Sequence, residues 1–340
     1  MVVNGVDMNT GNPILVEVTR GVAVESRHSG ACVVVDAAGG VVHSIGAVDQ
    51  MVFPRSAIKP VQALPLIETG AAEHFNLTDQ EIALATASHN GEAEHVAGVR
   101  AWLTRLGMSE ADLACGVHPS LSLDVALGLA RADVLLGRAH NNCSGKHAGF
   151  LTTALHKGEP LAGYVGADHP VQRRVADAMQ DMAGVRLSAE SCGIDGCGIP
   201  ACSMPLRALA RSMARMTDTQ ARPAAARIVR AMTAHPHLVA GTGRADTRIM
   251  QACAGRVASK IGAEGVHIAI VPEHGWGIAL KIDDGAARAS EIAMVNVLDQ
   301  LGLLDAAARV ALGDVLEKPL INTLGAPVGV VRPGPGLKLS

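Results

Sequence analysis

Runs rich in β-branched residues stand near both ends of the chain. They predict strands over residues 14–19, 31–36, 41–45, 266–271, 276–282 and 328–331, the last as an edge strand. The turn sequence Ala37-Ala38-Gly39-Gly40 joins the second run to the third and predicts a hairpin, and His274-Gly275 predicts a turn between the fourth and the fifth. The sheet is therefore expected to take strands from both ends of the chain.

Helical patterns fill most of the chain between these strands. Apolar residues spaced by three and four predict helices over residues 56–70, 92–106, 123–131, 170–182 and 286–301, with two more within 206–233. Thr78-Asp79-Gln80-Glu81 before an apolar run predicts a helix that begins with a capping box. Pro60 and Pro65 predict that the first helix is short or kinked.

The order of elements predicts an α+β protein. Its antiparallel sheet is built from both chain ends and covered by helices, and a helical lobe is inserted between the sheet segments. Residues 1–55 together with 234–340 are expected to form the sheet domain, and residues 56–233 the mainly helical lobe.

Composition and charge exclude several classes of protein. The 340 residues carry a net charge of −3 and are 49% hydrophobic, which excludes a disordered chain or a coiled coil. No basic stripe is present and aromatic residues are few (three Phe, two Trp, one Tyr), so we expect no nucleic-acid partner. No apolar run of membrane-spanning length occurs, so we expect no membrane partner.

The N-terminal segment and the cysteines predict a cytoplasmic protein. Residues 1–21 lack the basic start and apolar core of a signal peptide. Seven cysteines, odd in number and scattered in spacing, do not predict a disulfide framework.

Arg55-Ser56-Ala57-Ile58-Lys59 contains a serine and a lysine that share one helix face, three positions apart. A buried lysine loses pKa and can serve as the base that activates a serine. Alone, S-x-x-K is common, and a solvated helix face explains it equally well. Here Ser88-His89-Asn90 and Lys260-Ile261-Gly262 follow it, in the order S-x-x-K, S-x-N, K-x-G that is typical of penicillin-recognising serine hydrolases. A helix-capping Ser88 and a surface Lys260 are the alternatives.

A second cluster comprises two stretches predicted to be polar, glycine-containing loops that carry cysteine, at residues 141–147 and 192–198. Thiolates are good zinc ligands, but no C-x-x-C pair is present, which excludes a standard zinc ribbon or finger. On the residues alone, buried free thiols explain these cysteines better than a metal site.

The chain resembles the bacterial asparaginase II family typified by the rhizobial asparaginases, from about Leu15 to Val331. Four strings carry the resemblance: Arg-Ser-Ala-x-Lys-Pro at 55–60, Ala-Ser-His-x-Gly-Glu at 87–92, Asn-Asn-Cys-Ser-Gly-Lys-His at 141–147 and Asp-Gly-Cys-Gly-x-Pro at 195–200. The resemblance implies a fold similar to that of serine β-lactamases and bacterial glutaminases. It also implies an amidohydrolase that converts L-asparagine to L-aspartate and ammonia, in a homodimer.

The same resemblance implies particular roles for the residues of these strings. Two Ser-Lys tandems are implied, Ser56 with Lys59 and Ser88 with Lys260, together with a zinc ion (Zn2+) held by Cys143, Lys146 and Cys197. The other cysteines are then expected to pack: Cys32, Cys115, Cys202 and Cys253 in the core, and Cys192 in a loop.

We expect acyl transfer in two steps, with Ser56 as the nucleophile, Lys59 as its base, and zinc orienting the substrate. Arg55 or Arg244 is expected to bind the substrate's α-carboxylate. His89, Asn90 and Asp195 are further candidates for substrate contact. Three alternatives stay open: a penicillin-recognising hydrolase, a glutaminase, and a non-enzymatic zinc or amino-acid sensor.

Overall fold

The antiparallel sheet predicted from both chain ends is present in the computed structural model, which describes residues 11–339. The strands have the following bounds: β1 Ile14–Arg20, β2 Ala23–Asp36, β3 Val41–Ile45, β4 Met51–Val52, β5 Cys192–Ile194, β6 Pro200–Cys202, β7 Met204–Pro205, β8 Ala258–Ile261, β9 Val266–Val271, β10 Trp276–Ile282, β11 Lys318–Ile321 and β12 Pro327–Pro333. Residues 1–10, which include part of the segment behind the cytoplasmic prediction, lie outside the described residues.

Within residues 11–339, eight strands form the main sheet, in the order β11-β12-β1-β2-β10-β9-β8, with β3 also paired to β2. Every pairing is antiparallel, which confirms the predicted fold class and the β2–β3 hairpin. Two small pairs, β4-β7 and β5-β6, stand apart from this sheet. The prediction that residues 328–331 form an edge strand was wrong, because β11 pairs along the outer side of β12. Short, exposed and containing Pro319, β11 gave no strand signal.

The helices have the following bounds: α1 Lys59–Gln62, α2 Leu64–Glu68, α3 Ala71–His74, α4 Asp79–Ala85, α5 Ala93–Arg105, α6 Leu123–Arg131, α7 Ser144–Lys157, α8 Pro170–Ala183, α9 Leu206–Arg215, α10 Pro223–Ala234, α11 Pro236–Val239, α12 Ala245–Ala252, α13 Ala287–Gln300, α14 Ala306–Ala311 and α15 Gly313–Leu316. The capping box at Thr78 and Glu81 is confirmed. Pro60 and Pro65 stand in the first turns of α1 and α2, where a missing N–H does no harm, so the predicted helix 56–70 is divided there.

By internal contacts the chain divides into two compact units. The first, the sheet unit, holds the chain up to Ala57, Ser203–Thr217 and the residues from Arg248 onward. The second, the helical unit, holds Ile58–Cys202 and Asp218–Thr247. The sheet unit's core packs the inner faces of its strands against apolar side chains of α13, such as Ile292 and Val295.

The units differ from the predicted domain bounds in α9, which belongs with the sheet, and in residues 234–247, which belong with the helices. Helix α9 packs on β10 at Gly277, where any side chain would collide with the backbone of Ala210 and Ala214. Glycine at that strand position therefore allows the close approach. Whether the predicted bounds delimit two domains that fold independently stays a prediction. No helix within residues 11–339 is long and apolar enough to cross a membrane.

Candidate active site

The loop that carries Ser88 is fixed by backbone hydrogen bonds on two sides. After α4, the amides of Ser88 and Asn90 donate to the carbonyls of Val239 (2.9 Å) and Ala240 (3.0 Å). On the other side the His89 amide donates to Asn142 O at 3.2 Å. The loop is thus joined to the C-terminal end of α11 and to the segment before α7, which places three distant parts of the chain together.

Lys59 is wholly buried in the helical unit, and its ammonium group has three partners. Nζ donates to Ser88 Oγ at 2.9 Å, to Cys143 Sγ at 3.1 Å and to the carbonyl of Ala87. Burial lowers the pKa of Lys59, and although a thiolate at Cys143 opposes this, the net direction is downward. The amine therefore loses its proton more readily than that of an exposed lysine, as a general base must.

Ser56 lies in a 3₁₀ turn, Arg55–Ile58, directly before α1, and is partly exposed. Arg55 has a φ of 51°, in the left-handed region that non-glycine residues rarely occupy. A Cβ at Gly262 would lie 2.6 Å from Pro54 O and 3.1 Å from Ala57 N, so the glycine of the K-x-G motif packs directly on this turn. The sheet unit therefore brings the turn with Ser56 to the end of β8.

Lys260 is in β8, opposite Ile268 of β9. It is fully buried, and its Nζ donates to Ile261 O at 2.8 Å. A surface position is therefore excluded. Because Lys260 belongs to the sheet unit and Ser88 to the helical unit, their pairing stays a prediction.

Cys143 and Lys146 stand at the start of α7, so the expectation of a loop at 144–147 was wrong. Cys143 is the N-cap residue, and its amide donates to Asn141 Oδ1 at 2.9 Å. Gly145 lies so close to the backbone of Leu84 that no side chain fits between them. This close packing of α7 on the end of α4 brings Cys143 to Lys59.

Cys197 reaches the same cluster from the turn of the β5–β6 hairpin, where Lys146 Nζ donates to its Sγ at 3.0 Å. The turn is closed by two hydrogen bonds of Asp195, from its amide to Ile199 O and from the Gly198 amide to its carbonyl, both 2.8 Å. The Asp195 side chain accepts from the Gly196 amide at 2.6 Å.

A disulfide joins Cys192 of β5 to Cys202 of β6, two residues that face each other across the hairpin. The expectation that Cys192 packs in a loop was therefore wrong, whereas Cys202 is buried as expected but forms a disulfide. Cys32, Cys115 and Cys253 are buried free thiols, as expected. Burial raises the pKa of the Cys32 and Cys115 thiols to about 12 and that of Cys253 to about 11, which keeps all three neutral.

The thiols of Cys143 and Cys197 influence each other's ionisation. The interaction with Cys197 lowers the pKa of Cys143 despite its burial, and the charges of Lys59 and Lys146 act in the same direction. Burial opposes the charge of Lys146, but the two sulfurs and Asp195 outweigh it and hold the pKa of Lys146 above its usual value. The cluster thus favours a thiolate at Cys143 beside the ammonium group of Lys146.

The donor set of this cluster fits a zinc ion. Tetrahedral zinc, with Zn–S near 2.3 Å and Zn–N near 2.0 Å, places its ligand atoms roughly 3.5 Å apart. Lys146 Nζ and Cys197 Sγ are 3.0 Å apart, and Cys143 interacts electrostatically with both residues, so a small outward movement would suffice. Lys146 would have to lose its proton on binding the metal.

His89 and Asn90, expected to contact substrate, use their polar atoms within the protein. His89 Nδ1 accepts from the Gly91 amide at 3.0 Å, and Nε2 donates to Ser144 Oγ at 2.9 Å. Asn90 Oδ1 accepts from Arg244 Nη1 at 3.0 Å, and His89 and Asn90 are both buried. This geometry suits positioning of the loop better than direct contact with a ligand.

The structure thus brings together Lys59, Ser88, Cys143, Lys146 and Cys197 in one place, and Asn90 with Arg244 beside it. Sequence reasoning missed Glu92 and Thr242, whose side chains hydrogen-bond to each other; Asn90 Nδ2 donates to the Glu92 carboxylate and to the Thr242 carbonyl. Glu92 ends one of the strings that carry the resemblance, which is the signal that could have identified it.

Comparisons with known proteins support the family suggested by these strings. The L-asparaginase II family profile matches residues 16–333. Among solved structures, a protein assigned as a β-lactamase from Bacteroides dorei is similar at 13% identity and a TM-score of 0.41, over 79% of this chain and 93% of that one. A β-lactamase from Mycobacterium bovis is similar at 13% identity and a TM-score of 0.29, over 84% of this chain and 94% of that one.

Both structural likenesses are too distant to support an argument about substrate. Among curated proteins no significant match was found. The family profile, by contrast, spans nearly the whole chain and includes every residue of the candidate active site. The chain belongs to the L-asparaginase II family.

Proposed function

We propose that the protein is an L-asparaginase, an amidohydrolase that converts L-asparagine to L-aspartate and ammonia by acyl transfer through a serine. The observation that carries this proposal is the family match over residues 16–333, which includes all four proposed catalytic residues. The buried hydrogen bond between Lys59 and Ser88 supports the chemistry, since a lysine without solvent beside a serine is the arrangement that a Ser-Lys hydrolase needs.

In the first step, neutral Lys59 takes the proton of Ser56, and Ser56 Oγ attacks the carbon of the side-chain amide. The C–N bond breaks as the nitrogen takes the proton from Lys59 by way of Ser88 and leaves as ammonia, so that Lys59 is neutral again and an aspartyl ester remains on Ser56. In the second step, Lys59 takes a proton from water, the hydroxyl attacks the ester, and the proton returns to Ser56 as aspartate leaves. Ser88, which accepts a hydrogen bond from Lys59, is placed to pass a proton to the leaving nitrogen, with Lys260 as its proposed partner.

Charges around the substrate are proposed to set its orientation. Arg244 offers a guanidinium to the α-carboxylate, with Arg55 as the second candidate, since a guanidinium binds a carboxylate through two hydrogen bonds. Asp195 offers a carboxylate to the α-ammonium group. Backbone amides near Ser56 are proposed to stabilise the oxyanion.

We propose that Cys143, Lys146 and Cys197 hold one zinc ion. When bound, the metal supplies a positive charge that orients the substrate's polar groups. The thiols would bind as thiolates, so zinc affinity is expected to fall at low pH. Elemental analysis is expected to find about one zinc per chain, lost in Cys143→Ser or Cys197→Ser.

The remaining predictions concern the state of the protein in the cell. We propose a homodimer, which light scattering of the purified protein tests. A cytoplasmic location is proposed as well, and cell fractionation tests it. The family match supports a small-molecule substrate but is silent on both points.

Ammonia release tests the proposed function. The purified protein is incubated with L-asparagine, with L-glutamine and with buffer alone, and nitrocefin serves as a probe of β-lactam hydrolysis. Ammonia from asparagine, with loss of that activity in Ser56→Ala, is the expected result. Turnover of nitrocefin without release of ammonia would instead make the protein a penicillin-recognising hydrolase, and a preference for glutamine would make it a glutaminase.

A further inference from the structure

Arg244 is partly buried beside the Ser88 loop and has no carboxylate partner within residues 11–339. Its one side-chain hydrogen bond in that range runs from Nη1 to Asn90 Oδ1 at 3.0 Å. Other arginines of the helical unit are paired: Arg222 with Asp181 at 2.6 Å, and Arg227 with Glu73 at 2.7 Å. An arginine without an acidic partner beside a candidate active site is suited to an anionic group of a ligand.

The orientation of the Asn90 amide decides what it offers to Arg244. A guanidinium can only donate, so it needs Oδ1 and not Nδ2 in front of it. Asn90 Nδ2 faces the other way, donating to Glu92 Oε1 at 3.0 Å and to Thr242 O at 3.3 Å. Since a carboxylate can only accept, Glu92 requires Nδ2 on its side and thereby turns Oδ1 toward Arg244.

The carboxylate of Glu92 is itself held in place by Thr242. The Thr242 amide donates to Oε1 at 2.8 Å, and the Thr242 hydroxyl donates to Oε2 at 2.8 Å. Gly241, with a φ of 116°, lets the backbone come close to the side chains of Asn90 and Glu92. A Cβ at this position would lie 2.6 Å from both Asn90 Nδ2 and Glu92 Oε1. The loop with Arg244 is thus attached to Glu92 two residues before the guanidinium.

A metal-binding role for Glu92 fits the contacts less well. Glu92, His95 and His237 place ligand atoms within 4.8 Å of one another. His95, however, accepts from the Glu92 amide at Nδ1 (3.1 Å) and donates to His237 O from Nε2 (2.9 Å), so neither ring nitrogen has a free lone pair. The group is therefore a hydrogen-bonded support of the loop.

We propose that Glu92 is a positioning residue: by accepting from the Asn90 amide and from Thr242, it fixes the Arg244 guanidinium for the α-carboxylate of the substrate. This inference rests on the proposed function for the identity of the ligand. It makes Glu92 a determinant of selectivity for amides that carry a free α-carboxylate, although Glu92 itself does not touch the substrate.

Removal and restoration of the acceptor oxygen test the proposal. Glu92→Ala removes it, and Glu92→Gln retains an oxygen that can face Asn90. Glu94→Ala is the matched control, because Glu94 stands in the first turn of α5, two residues after Glu92, with its side chain 63% exposed. Melting temperatures of all variants report any loss of folding.

With L-asparagine, Glu92→Ala is expected to raise KM about tenfold while kcat changes little, as for the loss of one hydrogen bond to a charged group. With L-asparagine methyl ester, which lacks the carboxylate charge, KM is expected to stay within about twofold, and Glu92→Gln is expected to restore most of the affinity for asparagine. Equal losses on both substrates, or Glu92→Gln as impaired as Glu92→Ala, would overturn the proposal.

Two further measurements keep the test decisive. If Glu92→Ala fails to fold, Thr242→Val, which removes one donor to Glu92, is expected to raise KM two- to threefold, with Thr242→Ser unchanged; no difference between these two variants contradicts the proposal. If the wild-type protein releases no ammonia from asparagine, the proposed function fails. Crystal structures of the two variants then decide the positioning role. If Arg244 and the Asn90 amide keep their places in Glu92→Gln but move in Glu92→Ala, the role is supported. If they stay in place in both variants, it is overturned.

Discussion

The two sides of the thiol cluster are held in different ways. Cys143 and Lys146 stand on the first turn of α7, a helix whose first eleven residues are buried and whose Gly145 rests against the backbone of α4. Cys197 stands in the turn of a hairpin with strands of only three residues, partly exposed and joined by a disulfide. One side is fixed by packing, the other by a covalent bond.

The difference indicates which side carries the chemistry and which completes the cluster. The α7 side also holds Lys59 and Ser88, so its loss should abolish turnover. An isolated two-stranded hairpin is marginally stable by itself, so the β5–β6 side should adjust at small cost. We expect changes on the packed side to have large effects and changes on the hairpin to have small ones.

The largest effect is expected from Lys59→Met, which removes the base and its three hydrogen bonds. Turnover of asparagine should fall by about 10⁴-fold or more, as when a member of a nucleophile-base pair is removed, and a second change, Ser56→Ala, should cost little more. Rates of ammonia release from the single and double variants check this. Lys157→Met, at the end of α7, is the control. If the rate loss in the double variant equalled the product of the losses in the two single variants, Ser56 and Lys59 would not act as a single catalytic unit.

The pH dependence of turnover should show the lysine base. Lys59 acts when neutral, and burial lowers its pKa from the ordinary 10.5, so activity rises with pH and approaches its plateau earlier than for an exposed lysine. Below that pKa, kcat/KM should increase by about tenfold per pH unit. A profile that is flat or falls between about pH 6 and 9 would rule out Lys59 as the base.

A pair of glycine variants compares the packing of the two sides directly. In Gly145→Ala the new Cβ collides with the backbone of Leu84, so the free energy of unfolding should fall by about 1–3 kcal/mol. In Gly193→Ala, in β5, the new Cβ meets no atom within 4 Å, so the free energy of unfolding should change by less than about 0.5 kcal/mol. Urea denaturation of both variants measures the difference. Equal destabilisation would mean that the hairpin is packed as tightly as α7.

The smallest effect is expected from opening the Cys192–Cys202 disulfide. The double variant Cys192→Ser/Cys202→Ser should bind zinc about tenfold more weakly, as for loss of a group that supports a metal ligand, with turnover at saturating zinc retained. Competition with a chelator measures the affinity. Treatment with dithiothreitol should weaken zinc binding to the wild-type protein equally and leave the double variant unchanged. No change in the wild-type protein would show that the disulfide does not support Cys197.

Local patterns predicted those parts of the fold that depend on local residues. The strands 41–45, 266–271 and 276–282 match β3, β9 and β10 because β-branched runs end there at turn residues. Helix α7 was missed because Asn141-Asn142-Cys143-Ser144-Gly145 reads as a loop, and burial against α4 stabilises a helix that propensity alone would not predict.

The candidate site was predictable only in part for the same reason. Spacing alone pairs Ser56 with Lys59, but the hydrogen bond from Lys59 to Ser88 joins residues 29 positions apart, and it depends on how α1 and the Ser88 loop pack. The disulfide was missed because an odd, scattered set of cysteines does not reveal which two face each other across a hairpin.

The central claim is that Ser56 is the nucleophile and Lys59 its base, although Lys59 is seen to donate to Ser88. Mass spectrometry of protein quenched with acid during turnover of asparagine tests it most directly. The account predicts an aspartyl ester on the peptide that contains Ser56, with none in Ser56→Ala. An ester on the peptide that contains Ser88, retained in Ser56→Ala, would contradict it.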